Sequence, residues 1–182
     1  QSFRIPRSVH ALASDVVNRI KHRYVKPWQP RREMGTVNYI SEADSIDFSS
    51  HKGTWLCMSR SKYLLQRIKK VVRQQGYAYT YNGKSSLDTN ETKAITSWEK
   101  IRKDKELNRT EAKNLINFFN FNIKLEKKET YRINDLGLPD DARSRDWMDV
   151  LKALPADERE YLRSCMRNGE KFNDKPRITI ST

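Results

Sequence analysis

Several groups of residues in this 182-residue chain have the types and spacing that chemistry requires. Ala78-Tyr79-Thr80-Tyr81-Asn82-Gly83-Lys84-Ser85 satisfies the loose pattern of a phosphate-binding loop: a small residue, four positions, then Gly-Lys-Ser. That loop works through a small, glycine-rich backbone whose N–H groups wrap the phosphates between an apolar strand and a helix. Here the four intervening positions include two tyrosines and no glycine, and the residues before Ala78 read as a helix end and its cap. A strand end and turn is therefore expected. Lys62, Gln66, Lys69, Lys70 and Arg73 share one side of a predicted helix. That side is either a solvated face or a surface that tracks a phosphate backbone. Asp140-Asp141 and Asp157-Glu158 suit a loop and a helix start better than a catalytic carboxylate pair. His10, His22 and His51 lack zinc spacing, so no metal site is expected. Cys57 and Cys165 form no CxxC pair and sit in apolar patterns, as buried free thiols do in a reducing cytoplasm. No G-x-S-x-G and no Cys–His pair at a recognisable spacing occurs.

Charge is more informative. The net is +13, and it is unevenly placed: residues 1–83 hold 15 Lys/Arg and 5 Asp/Glu, residues 84–182 hold 21 and 18. A cationic surface concentrated in one half attracts a polyanion, and nucleic acid is the usual one. Charged residues make up 32% of the chain, and no apolar run approaches the ~18 residues of a membrane span. No membrane partner is expected. The N-terminus has neither a start Met nor an apolar signal region, so the sequence reads as a piece of a longer chain.

The elements that must position these residues have two textures. Residues 1–83 read as α/β. Pro6 suits a first helical turn, and Val9, Leu12, Ala13, Val16, Val17 and Ile20 recur at helical spacing to about His22. Pro27 and Pro30 hold Trp28 in a stiff loop. Thr36–Ile40 reads as a short strand. Thr54–Met58 reads as a strand covered on both faces. Ser61–Gln75 is a helix with Leu64, Leu65, Ile68, Val71 and Val72 inward and Gly76 at its end. Tyr77–Tyr81 is a further strand, and this strand–helix–strand unit implies parallel pairing. Residues 84–174 read as helical, with faces at Ala94–Ile101, Leu115–Phe119 (Thr110 as N-cap), Trp147–Leu154 and Pro155–Gly169, around an irregular charged stretch at 123–145. Arg177–Thr182 alternates like a strand again, which suggests a helical insertion within an α/β sheet.

These pieces resemble one family. Gln1-Ser2-Phe3-Arg4-Ile5-Pro6 before an amphipathic helix resembles motif IV of UvrD/Rep/PcrA-type superfamily 1 DNA helicases, commonly Q-N-Y-R-S, with the phage-type members closest. Trp55-Leu56-Cys57-Met58-Ser59-Arg60-Ser61-Lys62, its helix and Gly76-Tyr77-Ala78-Tyr79 resemble the family's apolar strand, Y-R-T-N, helix and G-x-P-Y. Pro176–Thr182 resembles the approach to motif V, whose T-I-H-x-A-K-G would begin at Thr182. Phe3 replaces the usual Tyr, and Lys62 stands where the family often has a DNA-contacting Asn.

The resemblance implies an α/β fold: an incomplete RecA-like (P-loop NTPase-type) parallel-sheet domain with an all-helical insertion. Residues 1–84 would be the first part of the second RecA-like domain (2A), 85–174 the 2B-like insertion, and 175–182 the return strand. It implies a fragment of an ATP-dependent DNA helicase from a bacterial or phage-infected cell. Such an enzyme translocates on single-stranded DNA and unwinds duplex at a junction. ATP and Mg2+ would be bound by the parent protein, together with its N-terminal RecA-like domain, and no cofactor by this fragment, which lacks Walker A and Walker B and would be inactive alone. Phe3 would stack near adenine and Arg4 would reach the γ-phosphate as a catalytic group. Arg60, Lys62 and Thr182 would bind DNA. The same charge footprint also suits a non-enzymatic nucleic-acid-binding module, and the helical part suits a protein-partner scaffold.

Overall fold

A computed structural model of the chain describes residues 5–25 and 27–182. The chain falls into two units, Gln1–Ser45 and Ile46–Thr182.

In the first unit, Pro6 precedes helix α1, Arg7–Asn18, as its geometry favours. The helix stops short of the expected His22. The N–H groups of Arg19 and Ile20 turn back to the carbonyls of Val16 and Val17, which tightens and ends the last turn. Thr36–Ile40 forms no strand, because no other described strand lies alongside to complete a ladder. None of the described side chains of this unit is buried.

The second unit is mixed α/β. Strand β1 (Trp55–Met58) leads into helix α2 (Lys62–Gln74) and strand β2 (Tyr79–Tyr81). Asn82 and Gly83 both take left-handed φ, +49° and +77°, so the chain reverses in a two-residue hairpin to strand β3 (Lys84–Ser85). The Gly-Lys-Ser motif is therefore at a turn, as expected, but the turn leads into a strand where residues 84–174 were expected to be helical. The chain then runs through α3 (Asn90–Ile101), β4 (Leu107–Asn108), α4 (Arg109–Ile116), β5 (Thr130–Tyr131), the single turn α5 (Trp147–Val150) and α6 (Ala156–Arg167). It returns as β6 (Ile178–Ser181).

Sheet order is β1-β6-β2-β3. The expected parallel arrangement forms, but β1 and β2 do not touch. Strand β6 enters between them and pairs in parallel with both, Cys57 opposite Ile180 on one side and Tyr81 opposite Ile180 on the other. The chain thus leaves the sheet after β3 and returns as a central strand. One face of the sheet packs on α2 through Leu65, Val71, Val72, Ile178, Ile180 and Phe48. The opposite face of β1 is open: Leu56 and Met58 remain 60% and 68% exposed. The expected two-sided cover fails because β1 is an edge strand with α2 on one side only. Leu64, expected inside, is also exposed.

A second, larger core is helical. Trp98, Ile95, Leu107, Leu115, Leu151 and Leu162 are essentially inaccessible. Helix α4 starts two residues earlier than Thr110 would cap it. Asn108 is the N-cap, its side chain accepting from the Glu111 N–H while Glu111 accepts from the Asn108 N–H. The charged stretch 123–145 is not idle: β5 pairs antiparallel with β4, and Tyr131, Ile133 and Leu136 enter this core.

The two cores are joined across α2 and α6. Gly76 ends α2 at φ +70°, and a Cβ there would lie 2.6 Å from Ser164 Cβ of α6, so only glycine fits both the turn and the contact. Asn168 Nδ2 donates to the carbonyls of Gln75 and Gly76 at 2.7 and 2.9 Å. The Tyr161 hydroxyl donates to Tyr77 O at 3.1 Å and lies 2.9 Å from Ser86 Oγ.

Candidate nucleic-acid interface

Parallel pairing places the C-terminal ends of β1, β6 and β2 along one edge of the sheet. In open α/β sheets that edge is where ligands gather, because loops there leave the strands with backbone groups and helix starts exposed. The residues that follow each strand are polar or cationic. Ser59, Arg60, Ser61 and Lys62 follow β1, Thr182 follows β6, and Asn82-Gly83-Lys84 follows β2. Met58 lies opposite Ser181, and the Ser59 N–H donates to Ser181 O at 3.2 Å, so the chain leaving β1 runs directly beside the end of β6. With strands about 4.8 Å apart, the edge from Arg60 to Lys84 crosses about 14 Å.

The structure therefore brings Arg60, Lys62 and Thr182 together at one edge, and all three are exposed. Helix α2 opens at this point with no acidic residue in its first turn and no side-chain cap on its first N–H groups. Its positive end adds to the two cations. Sequence reasoning passed over two further residues here. Tyr63 is 83% exposed immediately after Lys62, a flat ring beside a charge. Lys84 reaches the edge because the Asn-Gly turn folds it back next to Tyr81. The Asn82-Gly83 pair was a sufficient signal for the second. Phe3 and Arg4 lie outside the described residues.

Further along α2 the basic face changes character. Lys69 Nζ stands 3.2 Å from the centroid of Tyr81. Arg73 is not a solvent-facing charge, as the face pattern suggested. It is half-buried, pairs with Glu158 of α6 and lies 3.9 Å from the centroid of the Tyr161 ring. A cavity of about 650 Å³ opens beside these residues, lined by Lys69, Lys70, Arg73, Tyr79, Asp157 and Tyr161. Burial raises the Tyr79 and Tyr161 phenols above the ordinary range, so both rings stay neutral. Glu158 was read as a helix-start acid and is one. Its position in the first turn of α6 also delivers it to Arg73.

Cys165 is buried and Cys57 half-buried, both free, and burial raises both thiols, Cys165 to about 12. Among the described residues, no group of three or more His, Cys, Asp or Glu side chains is placed to hold a metal ion. No described helix is long and apolar enough to cross a membrane. No family model, curated protein or solved structure matches the chain.

Proposed function

We propose that the C-terminal edge of the sheet holds single-stranded DNA, and that the chain is part of the motor of an ATP-dependent superfamily 1 DNA helicase. One observation carries this reading: Arg60 and Lys62 after β1, Thr182 after β6 and Lys84 at the start of β3 lie along one edge of the sheet. A row of cations over strand ends suits a phosphate backbone crossing the sheet, with Tyr63 offering a base-stacking surface. In this reading β1, α2, β2 and β6 belong to a RecA-like domain, and residues 85–174 are the inserted helical part. The path of the chain, out of the sheet after β3 and back as its central strand, supports that division.

ATP and Mg2+ are then assigned to the cleft with an N-terminal RecA-like domain of the longer protein. Phe3 stacks near adenine there. Arg4 reaches the γ-phosphate, where a guanidinium offsets charge that develops as the phosphoryl group transfers. Nucleotide-driven closing and opening moves DNA past Arg60, Lys62 and Thr182.

The test is ATP turnover by the longer protein, with and without single-stranded DNA. DNA should stimulate turnover. Arg4→Ala should slow it on the order of 10²–10⁴-fold with a smaller change in nucleotide affinity, since the contact matters most in the transition state. Turnover that ignores DNA sinks the DNA-motor reading, and no turnover with or without DNA leaves a non-enzymatic nucleic-acid-binding module. ATPase activity from these 182 residues alone, abolished by Lys84→Ala, would show that the Gly-Lys-Ser hairpin does bind phosphate.

A further inference from the structure

We infer that residues 19–32 of the first unit form a separate contact for single-stranded nucleic acid, with Tyr24 and Trp28 stacking on bases and Arg19, Lys21 and Arg32 neutralising phosphates. The segment reads Arg-Ile-Lys-His-Arg-Tyr-Val-Lys-Pro-Trp-Gln-Pro-Arg-Arg: six Lys/Arg and no Asp/Glu. Residues 60–73 are the only other stretch of this length as one-sided in charge, and here two large aromatic rings stand between the cations.

The structure ties the described residues on both sides of this segment to one helix. The segment leaves the end of α1 and is tied back to the start of the same helix. The Arg31 N–H donates to Ile5 O at 3.0 Å, the Arg7 N–H to Glu33 O at 3.0 Å and the Ser8 N–H to Met34 O at 2.9 Å. The Ser8 hydroxyl also donates to Met34 O, at 2.7 Å. Between those ties, Arg23 donates to Asn18 Oδ1 at 2.6 Å, which holds the neighbouring Tyr24 close to the helix end. A cavity of about 580 Å³ lies under the loop, lined by His10, Ser14, Asn18, Arg23, Tyr24 and Trp28.

Tyr24 is 91% exposed and Trp28 58%. Large rings standing in water on a tied loop offer flat faces that unpaired bases can cover. Pro27 and Pro30 restrict the backbone on either side of Trp28, so little freedom is lost when the ring is covered. Arg31 is engaged by Glu33 at 3.4 Å. Arg19, Lys21 and Arg32 are exposed and have no ion-pair partner among the described residues.

A single strand matches both features at once, since it offers a phosphate per nucleotide and unpaired base faces. A duplex hides its base faces. An anionic bilayer would also take the cations, and Val16 and Val17 of α1, with Ile20 after it, are exposed beside them, so vesicle binding is the outcome that the test sets against a single strand. The contact lies wholly within the first unit and does not depend on the sheet-edge reading.

The test uses the full chain, with fluorescence anisotropy on a short labelled oligothymidylate over a salt series. The same titration is run on a duplex of equal length and on phosphatidylserine vesicles. Tyr24→Ala with Trp28→Ala should weaken oligothymidylate binding on the order of tenfold per ring, and Phe at both positions should restore most of it. Arg19→Ala, Lys21→Ala and Arg32→Ala together should lower the salt slope by about 2, at ~0.7 per single-strand phosphate. Binding by the Ala pair within twofold of the parent overturns the inference. So does a loss that Phe does not rescue, a loss equal for the duplex, or binding to vesicles with none to oligothymidylate. If Arg60→Ala with Lys62→Ala binds normally while Tyr24→Ala with Trp28→Ala does not, the sheet-edge reading falls and this one stands.

Discussion

Replacing Arg60 and Lys62 together by Ala separates a phosphate-contact surface from a structural one when it is set against Arg73→Ala. Arg60 and Lys62 are exposed, and Ser61, not either of them, occupies the N-cap of α2. Their removal should leave thermal stability unchanged, as exposed substitutions away from caps and cores do. If each meets one phosphate, the slope of log affinity against log salt should fall by about 1.4. A fourfold rise in salt should then weaken the double variant about sevenfold less than the parent. Arg73 sits on the same helix with the same charge, but its side chain is 32% exposed and its partner Glu158 only 17%. Arg73→Ala leaves Glu158 buried without its cation and uncovers the Tyr161 ring. The cost should be about 1–3 kcal/mol, lowering the melting temperature by about 2–12 °C with the salt slope intact. Anisotropy on labelled oligothymidylate reads the slope, and calorimetry reads the melting temperature. The reasoning is refuted if Arg73→Ala flattens the slope and the Arg60–Lys62 pair does not. DNA would then run along α2 past Lys69 and Lys70 instead of across the strand ends.

Two further substitutions probe the frame. Gly76→Ala combines a left-handed backbone with a Cβ 2.6 Å from Ser164 Cβ and 2.9 Å from the Ser164 carbonyl carbon. It should cost about 2–4 kcal/mol, and an unchanged melting temperature would mean that α2 and α6 do not meet there. Burial raises the Glu170 carboxyl, an effect Arg177 only partly opposes. The folded state therefore holds that proton more tightly than the unfolded chain, and the associated stability is present at low pH and lost as pH rises through the folded value. Glu170→Gln should accordingly raise the melting temperature at neutral pH and leave it unchanged below the ordinary carboxylate range. A gain that is equal at both would assign the effect to something other than ionisation.

Much of the fold was legible because periodicity, proline and glycine act locally. Leu65, Ile68, Val71 and Val72 declared the inner face of α2, Gly76 its end, and Asn82-Gly83 the turn after β2. What could not be read depends on neighbours remote in sequence. Thr36–Ile40 has the pattern of a strand and no described partner. Thr54–Met58 has the continuous apolar run of an interior strand, yet β6, 120 residues further on, takes the interior place and leaves β1 at the edge. Residues 123–145 looked irregular because β5 has only two residues, although Tyr131 is almost wholly buried. At the candidate site, Arg60 and Lys62 were visible as charges beside a strand end. Arg73 misled because its partner, Glu158, is 85 residues away. Lys84 was noticed for a motif it does not serve and reaches the sheet edge for a different reason.

The central place of β6 also sets an order of events during synthesis. Strands β1 and β2 emerge early, yet in the fold they do not bond to each other; both pair with β6, and β2 also with β3. Until β6 leaves the ribosome, both strands present bare amide edges, and the sheet side of α2 has no Ile178 or Ile180 to cover. The helical stretch between β3 and β6 closes its own core from contacts nearer in sequence and can therefore settle first. The sheet is thus assembled last, by threading one strand into a gap across a long loop, which makes it the slow and aggregation-exposed step. A nascent chain halted before Ile178 would carry finished helices beside an unmade sheet, and the row of cations that depends on that sheet would not yet exist.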